Sequence, residues 1–270
     1  MGELEEEFRQ HTGRLVTKWR HYFEVYERHF APYRGRPIQL VEFGVWQGGS
    51  LQLWRRYFGP QARIVGVDVK PECAAFAEEG TDIVIGDQAD PALHRELRSR
   101  YGAFDIVIDD GGHTMEQQAT TFRELYPAVR AGGVYLVEDT HSSYHAHWGG
   151  GLRRPGTFIE QAKLLIDQLH AWYGPVPGLE IDEITRTAFA LHFYDSMVVI
   201  EKRQVEKPVS LYRGEATLPL NVAEMQFLAH MDVQEGRRDQ AIARYKRALE
   251  VLPDDPTLRG LLRQVESGTP

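Results

Sequence analysis

Val41-Glu42-Phe43-Gly44-Val45-Trp46-Gln47-Gly48-Gly49-Ser50 is the stretch whose reading decides the fold: an apolar run reaches an acidic residue and then breaks into glycines where a helix should begin. Such a turn lets backbone approach a ligand at a helix N-terminus, beyond the end of a first β-strand. A second apolar run, Ile64 to Val67, ends in Asp68, twenty residues after Gly48, at the distance expected of a ribose-binding carboxylate. The glycines fall at 44, 48 and 49, which is not the G-x-G-x-x-G spacing of dinucleotide binders. That spacing favours a nucleotide-type cofactor with no pyrophosphate to cradle.

Working outward, apolar runs alternate with amphipathic ones. Strands are expected near 38–43, 63–68, 82–85, 104–109 and 133–137, with helices near 49–58, 71–79, 90–100 and 114–130 between them. A helix near 156–173 and a hairpin of strands at 187–193 and 196–201 follow. This rhythm implies an α/β fold, a Rossmann-like, doubly wound, mainly parallel sheet with helices on both faces. Before it, Leu15, Trp19, Tyr22, Phe23, Tyr26 and Phe30 form a helix-like stripe within residues 3–32, ended by Pro32. After it, Ala229, Gly236, Ala241, Tyr245, Ala248 and Pro253 are spaced as in one tetratricopeptide-type helical hairpin. The organisation expected is an N-terminal helical segment (1–36), the main domain (37–203), a linker (204–217) and a C-terminal helical hairpin (218–270). One such repeat cannot bury its own apolar face, so it should pack on the main domain or on a second copy, making a homo-oligomer.

With 270 residues and 42% hydrophobic content the chain can build a substantial core. A formal charge of −8 argues against a nucleic-acid partner, which needs a concentrated basic surface. The single cysteine, Cys73, cannot form an intrachain disulfide, and no apolar N-terminal or membrane-spanning segment is apparent. A soluble cytoplasmic protein with no membrane partner is the expectation.

In open parallel sheets ligands lie beyond the carboxyl ends of the strands, so the acids there are candidates by position. On this reading Glu42 faces the positive amino or sulfonium end of S-adenosylmethionine, and Gly44, Gly48 and Ser50 form the turn around it. Asp68 accepts from the ribose hydroxyls, Asp87 and Gln88 meet the adenine, and Asp109 is a further cofactor contact. Asp110, in Asp109-Asp110-Gly111-Gly112-His113, and the pair Glu138-Asp139 end neighbouring strands. Three convergent carboxylates repel one another unless a cation sits among them, and Mg²⁺ with oxygen ligands meets that need. His113, across a two-glycine turn from Asp110, is the candidate general base for a hydroxyl held on the metal. The loop after Asp139 carries His141, Tyr144, His145, His147 and Trp148 and suits a lid. His141, Tyr144 and Trp148 are its candidate acceptor contacts.

VEFGVWQGGS, GVDV, GDQAD, VIDDGGH, LVEDTH and FYDSMVVIEK together resemble the class I S-adenosylmethionine-dependent methyltransferases. More narrowly, the chain is similar over about residues 12–202 to the metal-dependent sugar O-methyltransferases of macrolide and related antibiotic biosynthesis. The resemblance implies a metal held by Asp110, Glu138 and Asp139, His113 as base, and a small glycosylated acceptor with adjacent hydroxyls. Two other readings stay open: a nicotinamide-dependent oxidoreductase on the same kind of sheet, and a non-catalytic protein that binds a partner through its helical tail.

Overall fold

The computed structural model describes residues 2–268 apart from residues 175, 215 and 217. Positions 1, 175, 215, 217, 269 and 270 of the expected segments lie outside the described residues. The chain divides into two compact units, one running to Glu206 and the other starting at Lys207.

In the first unit, β1 (Gln39–Phe43) is buried along its whole length, as a central parallel strand of continuous apolar character must be. It lies between β2 (Arg63–Asp68) and β4 (Phe104–Asp109) in a seven-stranded sheet that also contains β3 (Thr81–Ile85), β5 (Val129–Val137), β6 (Ala188–Tyr194) and β7 (Met197–Lys202). The order is 3-2-1-4-5-7-6; β1 to β5 are parallel, and β7 runs antiparallel to both neighbours. This is a Rossmann-like, doubly wound arrangement. The strand order reverses between β1 and β4, which opens a crevice beyond their carboxyl ends. Register aligns Phe43 with Val67 and Asp109, and Asp109 with Val137. Gly44, Asp68, Asp110 and Glu138 therefore leave the sheet along one edge.

Two helices, α2 (Tyr22–Phe30) and α3 (Gly49–Phe58), cover one face through Tyr26, Phe30, Trp54 and Phe58, packed with Leu40, Ile64, Ile106 and Val199. Helices α4 (Pro91–Tyr101), α5 (Met115–Leu125) and α6 (Phe158–Leu169) cover the other, where Phe122 and Phe158 meet Val107, Tyr135 and Val198. No helix among the described residues is long and apolar enough to cross a membrane.

Several expected boundaries move. The N-terminal segment forms two helices, α1 (Glu3–Arg9) and α2, joined by an irregular strap, and Leu15 and Trp19 of the expected stripe lie on that strap, 62% and 58% exposed. The strap's polar groups are satisfied across the fold, as when Gln52 Oε1 accepts from Arg14 N at 2.8 Å, so no local ladder is needed. The helix expected to 130 stops at Leu125 because Pro127 cannot continue it, and β5 then starts at Val129. Residues 71–79 form only a 3-10 turn, Pro71–Phe76.

The second unit contains α8 (Val222–Gln234), α9 (Arg238–Val251) and α10 (Pro256–Ser267), preceded in the first unit by the short α7 (Glu183–Thr187). Ala229, Ala241, Tyr245 and Ala248 are buried together, and Leu258 joins them, so the hairpin is completed by a third helix that lies beyond the tetratricopeptide-like spacing. Tyr212, expected in the linker, donates to Asp232 of α8 at 2.5 Å and thus belongs to this unit.

Candidate active site

A cleft of about 670 Å³ opens at the carboxyl edge, lined by the strap (Leu15 to Arg20), the turn after β1, the end of β2, Asp110 to His113, and Glu138 with Asp139. That volume is in the range of sites for small ligands. Three of its lining residues hold left-handed backbone without being glycine: Trp46 (φ 49°), His113 (φ 58°) and Asp139 (φ 51°). Such conformations persist only where the surroundings enforce them, and they concentrate at functional sites.

The first turn is built from β1 upward. Gly44 has φ 92°, and a Cβ there would collide with the carbonyl oxygen of Asp110, so only glycine lets the β1 and β4 ends approach. Asp68 Oδ2 accepts from Val45 N and Trp46 N, both at 2.9 Å, and Oδ1 accepts from Lys70 N at 2.9 Å. The carboxylate thus fixes the turn while lining the cleft. Glu42 is placed differently from expectation. It is fully buried under the turn, accepting from Ser50 Oγ at 2.7 Å and Trp54 Nε1 at 3.0 Å, and it does not line the cleft.

At the end of β3, Asp87 is exposed, accepts from Ala89 N in its own turn and lies outside the cleft lining. Gln88 does reach the cleft, but its amide is committed: Nε2 donates to Asp109 Oδ1 at 2.6 Å and to Thr121 Oγ1 at 3.0 Å, while Oε1 accepts from Gly112 N at 3.1 Å. Asp109 is wholly buried, its Oδ2 has no hydrogen-bond partner among the described residues, and burial pushes its carboxyl up to about 7. Gln88 and Asp109 together shape the Gly111-Gly112 turn from below.

That turn delivers His113, after which Thr114 starts α5 with a reciprocal capping box to Gln117. His113 Nε2 lies 3.5 Å from Asp139 Oδ2 and 3.9 Å from Asp110 Oδ1; both carboxylates are 22% exposed. Asp110, His113 and Asp139 are therefore brought together as potential donors around one point. Tyr22 fixes the far side by donating to Asp139 Oδ1 at 2.6 Å. Glu138 is not brought into this group. Its buried carboxylate accepts from Tyr26 at 2.5 Å and from Lys18 Nζ at 2.9 Å.

Lys18 is the residue the sequence reading missed. Its side chain descends from the strap, 3% exposed, to place the ammonium 2.5 Å from Asp110, 2.9 Å from Glu138 and 3.7 Å from Glu42. Burial opposes the charge, but Asp110, Glu138 and Glu42 outweigh it and hold the ammonium well above the ordinary lysine range. Glu138 is in turn pushed well up by burial and by Asp110, with Lys18 opposing. One ammonium thus stands among Glu42, Asp110 and Glu138, with Asp139 close by. The negative surplus at the cleft suits a hard divalent cation, and Asp110 and Asp139 are the carboxylates exposed to receive it. The only signal for Lys18 in the sequence was the carboxylate surplus itself, which demanded a cation without saying where on the chain it lay.

On the outer rim, residues 140–148 form two 3-10 turns, Thr140–Tyr144 and Ala146–Trp148. His141 Nδ1 pairs with Ser196 Oγ at 2.5 Å, and its ring meets Trp19 and Trp148 edge-on, at 6.4 and 6.0 Å between centroids. Tyr144 is 47% exposed. None of His141, Tyr144 and Trp148 lines the cleft, although His141 lies 3.9 Å from Asp139.

The sheet order and the edge constellation define a methyltransferase domain of Rossmann-like fold. Residues 41–140 match the methyltransferase domain family. Curated relatives include the 8-demethyl-8-(2-methoxy-alpha-L-rhamnosyl)-tetracenomycin-C 3'-O-methyltransferase of Streptomyces olivaceus, 38% identical, with 70% of this chain and 53% of that protein aligned. Demethylmacrocin O-methyltransferase of Streptomyces fradiae is also 38% identical, over 71% of this chain and 52% of its own length. Among solved structures, the mycinamycin-pathway methyltransferase MycE in complex with Mg and SAH superimposes with a TM-score of 0.65 at 32% identity, covering 75% of this chain and 54% of that one. The chain spans about half the length of the curated relatives it matches. Its methyltransferase domain is homologous to enzymes named as O-methyltransferases of a rhamnosyl tetracenomycin, of demethylmacrocin and of mycinamicin VI.

Proposed function

We propose that this chain transfers a methyl group from S-adenosylmethionine to a sugar hydroxyl of a glycosylated natural product, assisted by Mg²⁺. The observation that carries the reading is the convergence of Asp110, His113 and Asp139 at the mouth of a cleft whose inner end is the β1–α3 turn. Relatives with 38% identity bear names of this activity, and MycE was solved with Mg and SAH. Asp68 and the Gly44 to Ser50 turn hold the nucleoside end of the cofactor in this reading. Asp110 and Asp139 would hold the ion, which would supply Lewis acidity toward an acceptor hydroxyl. Glu138, locked to Lys18 and Tyr26, supports Asp110 from behind and becomes a direct ligand only if Lys18 withdraws. His113 takes the hydroxyl proton at Nε2, the nitrogen that faces both carboxylates. Trp19, His141 and Trp148 form the aromatic rim on which an acceptor sugar packs.

Calorimetric titration with S-adenosylhomocysteine, using NAD⁺ as control, tests the cofactor, and methyl transfer to rhamnosylated acceptors with and without chelator tests the reaction. Saturable binding of S-adenosylhomocysteine alone is expected, together with a loss of roughly 10²-fold or more in turnover for His113→Ala at unchanged cofactor affinity. Binding of NAD⁺ instead, or full activity in chelator, overturns the reading.

A further inference from the structure

On the α2 side of the β6–β7 hairpin, three side chains from three elements converge: His29 from α2, His192 from β6 and Glu201 from β7. Glu201 Oε1 lies 3.2 Å from His29 Nδ1 and 3.1 Å from His192 Nε2. With zinc–ligand distances near 2.0–2.1 Å, neighbouring ligands at the corners of a tetrahedron stand about 3.3 Å apart. The two edges that meet at Glu201 therefore already have that spacing, and all three donor atoms lie within 4.8 Å of one another. The second nitrogen of His29 is held by the Tyr194 hydroxyl at 2.9 Å, the outer-shell contact that fixes the tautomer and orientation of a ligating imidazole. Tyr194 also lies nearly parallel to the His192 ring, at an interplanar angle of 10°.

We propose that His29, His192 and Glu201 form a binding site for one Zn²⁺ ion, with water in the fourth position. The side chains of His192, on the edge strand β6, and Glu201, on its neighbour β7, are 31% and 34% exposed, which leaves that position open to solvent. Two imidazole nitrogens and one carboxylate select a borderline transition metal over Mg²⁺, which takes oxygen ligands in octahedral geometry. The site is thus chemically distinct from the carboxylate-rich cleft, and it does not depend on the methyltransferase reading. Its ion joins α2 to the antiparallel edge of the sheet. Because α2 also presents Tyr22 to Asp139, zinc occupancy stiffens the wall behind the cleft.

The full-length protein, in buffer containing excess Mg²⁺, is titrated with Zn²⁺ against a chromophoric chelator. The His113→Ala background removes the imidazole from the other donor cluster. One zinc equivalent is expected in that background and none after adding His192→Ala, with Glu201→Gln weakening binding at least tenfold. Both substitutions fall at partly exposed positions of β6 and β7, and their metal-free melting temperatures report whether folding is intact. Co²⁺ should give the intense visible bands of a four-coordinate site, lost with His192→Ala. Undiminished zinc binding in the His192→Ala and Glu201→Gln variants, or no zinc equivalent at all in His113→Ala, overturns the proposal. The latter outcome would make the cluster a carboxylate clamped by two imidazoles.

Discussion

Lys18 is one ammonium that neutralises the interior end of a carboxylate cluster, and its removal leaves Glu42 and Glu138 buried without a counter-charge. Breaking a buried pair from one side costs about 3–5 kcal/mol, because the uncompensated charge remains in low dielectric. Lys18→Met should lower stability on that scale, and Lys18→Met/Glu138→Gln should recover much of the loss. A denaturant-unfolding double-mutant cycle measures this coupling, and additive effects of the two substitutions would remove the ammonium from that role. Asp109 presents the opposite case, a buried acid with no cation. Its carboxyl, normally near 3.8, is raised to about 7 by burial. The sign is therefore that stability is fully present below about 4 and falls as pH rises toward 7, because only the unfolded chain ionises freely in that window. The single-site contribution is on the order of 4 kcal/mol, as each tenfold difference in proton affinity between the folded and unfolded chain is worth about 1.4 kcal/mol. Asp109→Asn copies the protonated acid, so it should flatten the stability profile between about pH 4 and pH 7. A profile with an unchanged slope there would mean that Asp109 ionises normally in the folded protein.

Strands and the turns that leave them set the site's geometry, and this is the scale at which the sequence was most readable. Uninterrupted apolar runs such as Ile64 to Val67 admit only a strand buried on both faces, and the helix at Gly49–Phe58 follows from glycines before an amphipathic stripe. Asp109, expected as a further cofactor contact, lies instead under the sheet edge while Asp110 is in the cleft, as the alternation of a strand requires. Alternation did not reveal that Glu42 and Gln88 would spend their polar atoms on Ser50, Trp54, Asp109 and Thr121, because those partners are distant in the chain. The strap escaped for the same reason. Leu15 and Trp19 have helical spacing, yet the backbone between α1 and α2 is held by Gln52 and by carboxylates about 90–120 residues away, and local periodicity carries no record of them. A test belongs to the most legible turn. Gly44→Ala places a methyl against the Asp110 carbonyl in a backbone conformation that alanine rarely adopts, and so pushes the β1 and β4 ends apart. S-adenosylhomocysteine affinity should fall by roughly tenfold or more, with a stability loss of a few kcal/mol. Wild-type affinity measured by calorimetry would show that the close approach is not needed for binding.

At the scale of the whole molecule, the described residues build three separate hydrophobic centres. The sheet carries one on each face and closes at β6 and β7, after which Arg203 N and Val205 N still donate to Thr187 O and Arg186 O, both at 2.8 Å. Beyond Glu206 the apolar contacts of α8, α9 and α10 form a cluster of their own. That unit is also tied internally by charge. Asp232, fully buried, accepts from Tyr212 at 2.5 Å, Arg237 at 2.8 Å and Arg244 at 2.9 Å. Every residue assigned to cofactor, metal or proton transfer lies in the first unit, and none of the strands that position them comes from the second. A chain ending at Glu206 should therefore fold, with a cooperative thermal transition and S-adenosylhomocysteine affinity within about threefold of the full chain. Circular dichroism and calorimetry on the two proteins side by side provide the test. If the shortened chain folds but loses affinity, the helical unit contributes to the cleft; if it fails to fold, the sheet's two covering layers are not self-sufficient. The expected result would assign the helical unit to something other than the methyl-transfer chemistry.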